Sequence, residues 1–155
     1  MKRFKWRLQR VLDIKQKEEQ AKRSQLMDVT QRLSQIRAEL FIEKRILRDL
    51  IDDLSESDTR DRLEKQAFFM TYSAANNAKI KSLEDKVKTL VKEQHNKMKE
   101  VVKIKQFNEG LEKLRAQAQE EFMKEQEISE QKESDQRTTI SFARKAMIQS
   151  EKVVL

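Results

Sequence analysis

The chain has no proline, no cysteine and a single glycine in 155 residues. Ordinary globular domains carry about 7% Gly and 5% Pro because they turn often. A chain with almost no turn chemistry cannot be divided into many short elements, so a few very long helices are expected. The missing cysteine fits a reducing compartment and equally fits none in particular. No apolar run approaches the roughly 20 residues a membrane span needs. The N-terminus is basic but lacks an apolar block, which argues against a signal peptide and for a cytoplasmic location. The sequence has no Gly-rich phosphate loop. The only histidine, His95, stands between Gln94 and Asn96 and reads as a solvated side chain. Acid pairs such as Asp52–Asp53 and Glu120–Glu121 are adjacent on a helix, so they do not converge on one point. No catalytic, cofactor-binding or metal-binding residue is expected, and neither is a small-molecule substrate.

Charged residues make up 39% of the chain and apolar ones 37%. Such composition alone would suit disorder, but regular heptads oppose it. The net charge of +7 is laid out in blocks. Residues 1–25 carry nine Lys/Arg against three acids, residues 49–64 seven acids against two Arg, and residues 119–135 seven acids against two Lys. Residues 79–115 are basic again. Blocks of this kind are usually solvated faces of long helices.

The organising stretch is 26–54. Leucine recurs every seven residues at Leu26, Leu33, Leu40, Leu47 and Leu54, with Val29, Ile36, Glu43 and Leu50 three residues on. An average apolar spacing of 3.5 keeps one seam facing a partner helix. Upstream, Phe4, Leu8, Val11, Leu12 and Ile14 give a stripe that thins to Ala21 between 15 and 24. A second seam runs through Ile80, Leu83, Val87, Leu90, Val101, Ile104 and Leu111, with polar Gln94 and Lys97 in its middle and weaker continuation at Leu114, Ala118 and Ile128. Between the seams, Ser55 to Thr59 is the best turn candidate, because Ser57, Asp58 and Thr59 can each cap a following helix. Gly110 should soften the second helix locally, at a cost of about 1 kcal/mol against Ala.

The seams can be laid antiparallel so that partner numbers sum to 116. Leu26 then meets Leu90, Val29 meets Val87, Leu33 meets Leu83, Ile36 meets Ile80, Leu47 meets Phe69 and Leu12 meets Ile104. Glu19 meets Lys97, and Glu39 shares a flank with Lys79. Glu43–Ser73 and Leu40–Asn76 are poor layers, while Lys86 near Arg32 and Glu18 near Glu100 are unfavourable pairs. The expected fold is all-α: a long antiparallel two-helix coiled-coil hairpin, one domain over 1–155. Helix one spans about 4–55, the turn 56–59 and helix two about 60–141, with a frayed tail at 142–155. Helix two overhangs helix one by some 25 residues, and the overhang is acidic. A two-helix seam is narrow, so no sizeable core and no natural pocket are expected.

A basic start before five heptad leucines invites a DNA-binding zipper. A DNA-reading helix should present Lys/Arg and Asn with few acids. Here Asp13, Glu18 and Glu19 interrupt it, no Asn precedes Asn76, and Glu43 weakens a homodimeric seam. A nucleic-acid partner is therefore disfavoured, though a nucleic-acid-binding or scaffold coiled coil stays as the alternative. Off-seam aromatics mark candidate partner surfaces: Trp6 beside Arg3 and Arg10, Phe41 and Ile42 on helix one, Phe68 outward on helix two, and Tyr72 on a flank with Ile46.

The opening Phe4-Lys5-Trp6-Arg7-Leu8-Gln9-Arg10-Val11-Leu12-Asp13-Ile14 resembles the start of the flagellar export protein FliJ family, with its aromatic-x-aromatic-x-Leu-Gln-x-Val/Leu-Leu pattern. Length, charge, layout and the stretch 125–136 are also similar. The resemblance implies a hairpin like the central stalk of rotary ATPases, acting in the type III export apparatus at the cytoplasmic face of the inner membrane. It implies a hexameric export ATPase, an export gate membrane protein and export chaperones as partners. The ATPase contact would fall on Arg3, Phe4, Trp6, Arg7 and Arg10, at an N-terminal helix start. The gate contact would fall on Phe69 and Tyr72, with Phe68 as an addition. The family's next two positions, one apolar and one Ala, are Asn76 and Lys79 here, a departure from the pattern.

Overall fold

A computed structural model describes residues 2–154. Two helices account for nearly all of them: α1, Gln9–Glu56, and α2, Thr59–Val154, of 48 and 96 residues. No strand occurs among the described residues. Helix persists this long because nothing in the sequence stops it. The lone Gly110 sits inside α2 with ordinary helical backbone and nothing within 4 Å of the space a Cβ would occupy.

The one interruption falls inside the expected turn and is only Ser57 and Asp58. Ser55 and Ser57 turn their hydroxyls back onto the carbonyls of Asp52 and Leu54, at 2.8 and 3.1 Å. The second bond satisfies a carbonyl, that of Leu54, which the ending helix leaves without a partner. Asp58 then starts α2: its carbonyl accepts the Arg62 N–H at 2.9 Å. Asp61 lies in the first turn of α2, where the helix dipole favours an acid.

Both outer boundaries differ from expectation. Helix one was expected from about residue 4, yet residues 2–6 are non-helical and α1 begins at Gln9. The Gln9 N–H donates to the Trp6 carbonyl at 3.2 Å, and the Leu12 N–H to the Leu8 carbonyl at 3.0 Å. The physical reason lies in Lys2, Arg3, Lys5 and Arg7: extending the helix would gather cations at the positive end of its dipole. At the other terminus, helix two was expected to fray from 142, yet α2 continues to Val154. No breaker occurs there, and Lys152 in the last turn complements the dipole.

The chain divides into two compact units, Gln16–Gln106 and a second built from residues up to Lys15 with those from Phe107 onward. Apolar packing is discontinuous because polar residues occupy seam positions, as Lys22, Gln94 and Lys97 do.

The two long helices pack together along the expected seam. Val29, Leu33 and Leu83 are buried in the Gln16–Gln106 unit, and Leu12 and Leu111 in the other. Leu26, Ile36, Leu40, Leu47, Leu50, Leu54, Ile80, Val87, Leu90, Val101 and Ile104 are all half-buried. Burying such a side chain fully contributes about 1.5–3 kcal/mol, so these few positions dominate stability. Val11, Ile14, Leu114 and Ile128 were expected to extend the stripes but are exposed. Ala118, expected there, is half-buried, and Lys15 and Phe122 continue the inward line with it.

Polar contacts join α1 to α2 beside this seam. Lys22 pairs with Glu100 at 3.1 Å and Lys44 with Glu84 at 3.3 Å. Gln94 donates to the Thr30 hydroxyl and Lys97 to the Gln25 amide oxygen, both at 3.1 Å. Lys97 thus meets Gln25 and Glu100, while Glu19 holds Arg23 at 2.8 Å on its own helix. Side chains lean toward their own helix N-terminus, which carries long ones past the residue directly opposite.

Candidate partner-binding surfaces

The N-terminal block is an extended segment leading into α1. Its anchor is Phe4, whose ring lies 5.5 Å from that of Phe122, tilted by 54°. Gln126 donates its side-chain amide to the Lys2 carbonyl at 3.0 Å. Lys2 also shares a shallow groove with Glu125, Glu130 and Glu133 of α2. Phe4 and Trp6 are half-buried, whereas Arg3, Arg7 and Arg10 are exposed. Arg3 and Arg7 precede the helix; among the three arginines only Arg10 is on it. Further into the same unit, Asn108 is buried and donates to the Lys15 carbonyl at 3.2 Å, and the Lys15 ammonium lies 5.7 Å from the centre of the Phe107 ring.

The second candidate surface lies just after the interruption, on α2. Phe68 is 60% exposed and stacks on Tyr72, with ring centres 5.9 Å apart and planes within 17°. Two residues four apart on a helix share a face, so this pair presents one aromatic platform. Phe69 points elsewhere: it is half-buried and lines a groove with Ile51, Leu54 and Arg62. Tyr72 is half-buried.

Asn76 and Lys79, the departures from the family pattern, are both engaged with Glu43. Asn76 is buried and donates to the Glu43 carbonyl at 3.2 Å, while its own oxygen is buried without a hydrogen-bond partner. Lys79 reaches the Glu43 carboxylate at 2.7 Å. That hydrogen bond, with the charge of Glu43 and a smaller contribution from Glu39, raises the lysine above its usual value. The poor layers at Leu40, Glu43, Ser73 and Asn76 are thus a polar bracket. Ser73 turns its hydroxyl to the Met70 carbonyl on its own helix, at 3.1 Å.

Between these helices in the Gln16–Gln106 unit runs an open trough lined by Arg32, Gln35, Ile36, Ala78, Lys81, Ser82, Asp85, Lys86, Thr89 and Leu90. It is a surface groove open to solvent, not an enclosed cavity. The Arg32–Lys86 flank pair lies on its wall, where like charges discourage close packing, and Asp85 sits beside them. His95 is exposed. Among the described residues no cluster of His, Cys, Asp or Glu could hold a metal, and no helix is long and apolar enough to cross a membrane.

Sequence reasoning missed Phe122, Asn108 and the stacked Phe68–Tyr72 pair. A signal for the first two existed: Asn108, Leu111, Ala118 and Phe122 continue the 3-4 spacing past Ile104. Phe68 and Tyr72 are four apart, the spacing of facing helical neighbours.

Comparison with protein-family models, with curated proteins and with solved structures finds no match.

Proposed function

We propose that this chain is a non-enzymatic, stalk-like coiled-coil hairpin of a type III export apparatus, coupling a hexameric export ATPase to an export gate at the cytoplasmic face of the membrane. The observation that carries the reading is the pair of long helices packed on a heptad seam and interrupted only at Ser57-Asp58. Contacts such as Gln25–Lys97, Thr30–Gln94 and Glu43–Asn76 join rising numbers on α1 to falling numbers on α2. This supports an antiparallel pairing in which the far end of α2 overhangs. The opening aromatic and basic block adds its resemblance to the FliJ family. Such a hairpin would work by binding different ATPase interfaces unequally, since only differential affinity shifts a conformational equilibrium.

In this reading Trp6 and the exposed Arg3, Arg7 and Arg10 meet the ATPase, the arginines pairing with carboxylates through their planar forks. Phe68 and Tyr72 meet the gate. Phe4 and Phe69 are poorer probes, because each also packs within the chain. A second reading is favoured by the Phe4–Phe122 contact and the Gln126–Lys2 bond: the block is a local clasp on α2. ATPase stimulation and thermal melting separate the two. Trp6→Ala and Arg10→Ala should leave melting almost unchanged. Trp6→Ala should weaken ATPase association about 30-fold, as for an interface anchor worth about 2 kcal/mol. Lower melting with full stimulation would instead establish the clasp.

A further inference from the structure

From 127 to 153 every residue of α2 is exposed. Within this stretch the sequence changes character. Residues 119–135 hold seven acids against two Lys, and residues 136–155 hold four Lys/Arg against one Glu. The basic part is amphipathic. Ile140, Ala143 and Met147 follow one edge of a face, Phe142, Ala146 and Val153 the other, and Thr139 and Ser150 lie between. At 3.6 residues per turn this face covers roughly 160° of the helix. Arg137, Arg144, Lys145 and Lys152 occupy the opposite side. Arg137, Arg144 and Lys145 share a shallow groove there with Ile140 and Ile148, the latter an apolar exception on the basic face.

Phe142 is 74% exposed, Met147 71% and Val153 86%. A single partner helix covers a narrow line, and Ile140 and Phe142, about 160° apart across the face, cannot both lie on it. A second copy seated on this face would leave Arg137, Arg144, Lys145 and Lys152 of both chains pointing away from the junction, and it supplies no anion for them. A flat anionic surface accepts both edges of the face and attracts the cations; basic helices with a broad apolar face lie in bilayer interfaces for these reasons. The acidic block just upstream would be repelled, which sets where contact ends.

We propose that residues 136–153 of α2 form an interfacial helix that docks on an anionic lipid surface. This goes beyond the coupling function and stands independently of it, since it uses neither the ATPase nor the gate.

The test is co-sedimentation of the full chain with vesicles of phosphatidylcholine alone, or with about 30% phosphatidylglycerol, at about 150 mM salt, where surface charge still acts within a Debye length. Binding is expected to the anionic vesicles and not to the neutral ones. Arg144→Glu with Lys145→Glu should lower partitioning at least about 25-fold, at about fivefold per cation removed. Phe142→Asp should abolish binding, and Met27→Asp, at an exposed position of α1, should change nothing. Equal binding to both vesicle types overturns the proposal, as does unchanged binding by the Phe142 or Arg144/Lys145 variants. It is equally overturned if wild type binds no vesicle and instead forms a dimer, or a complex with an acidic protein, that Phe142→Asp dissolves. ATPase stimulation is measured without lipid, so a negative vesicle result leaves the coupling reading standing.

Discussion

Two stretches of one helix, α2, behave in opposite ways. Over 80–104 six of the nine large apolar residues, Ile80, Leu83, Val87, Leu90, Val101 and Ile104, are buried or half-buried, and Val91, Met98 and Val102 are exposed. Over 127–153 there are six large apolar residues, Ile128, Ile140, Phe142, Met147, Ile148 and Val153, and all are exposed. Neither stretch contains Gly or Pro, and both are helical. Helicity therefore follows from the absence of breakers, while partnering follows from spacing. In the first stretch two thirds of the large apolar residues fall on one line at 3-4 intervals; in the second they spread around more than half the circumference, and a single helix offers no surface of that width.

The largest expected effect tests that contrast directly. Leu33 is only 2% exposed, so Leu33→Ala should cost about 2–4 kcal/mol. Phe142→Ala removes a larger side chain from an exposed position and should change stability by less than about 0.5 kcal/mol. Urea midpoints measured at constant slope compare the two, and equal losses would break the distinction between covered and uncovered stretches.

A smaller effect is expected at Asn76, which leaves one buried oxygen without a partner. Asn76→Leu should stabilise by about 1 kcal/mol, because the unsatisfied group disappears. The gain should come with lost specificity, since a buried Asn in a helical seam fixes register. Cysteines at Leu33 and Leu83 should crosslink within one wild-type chain. In the Asn76→Leu background the same pair should crosslink in lower yield, as shifted registers become populated. Crosslinks forming only between chains would defeat the antiparallel pairing itself.

The central seam was legible in the sequence because it depends on a short-range repeat: its positions from Leu26 to Leu54 and from Ile80 to Leu111 are buried or half-buried, whereas Val11, Ile14, Leu114 and Ile128 beyond them are exposed. The interruption was legible for a similar reason, since Ser57 and Asp58 are local capping chemistry. The start of α1 was harder to read. Phe4 sits at a good apolar interval from Leu8, but its ring packs on Phe122, more than a hundred residues away, and no local rule reports such a contact. Asn76 was read as a poor layer because an amide reads as polar in a pattern. Its use, a bond to the backbone carbonyl of Glu43, involves an atom that every residue possesses and no sequence pattern marks. The candidate site was legible only as residue types. Phe68, Tyr72, Arg3, Arg7 and Arg10 are available at the surface, but Phe69 turned inward.

The smallest expected effect sharpens the comparison from the charged side, since the covered stretch is bordered by cross-helix ion pairs. Lys79 is raised by its hydrogen bond to Glu43 and then by that carboxylate's charge. A raised lysine favours the folded state fully below its ordinary 10.5, and this contribution is lost as pH climbs through the higher folded value. Glu100 is lowered, chiefly by the hydrogen bond from Lys22, so its contribution is present above the ordinary 4.5 and is lost as pH falls through the lower folded value. Both pairs are open to solvent, where such interactions are weak and screened by salt. Thermal melting should therefore fall less steeply above about pH 10.5 in Lys79→Gln than in wild type, and less steeply below about pH 4.5 in Glu100→Gln. Both differences should shrink at about 1 M salt, where screening acts within about 3 Å. If Lys79→Gln kept the full alkaline slope, Glu43 would serve the seam only through the carbonyl that Asn76 holds.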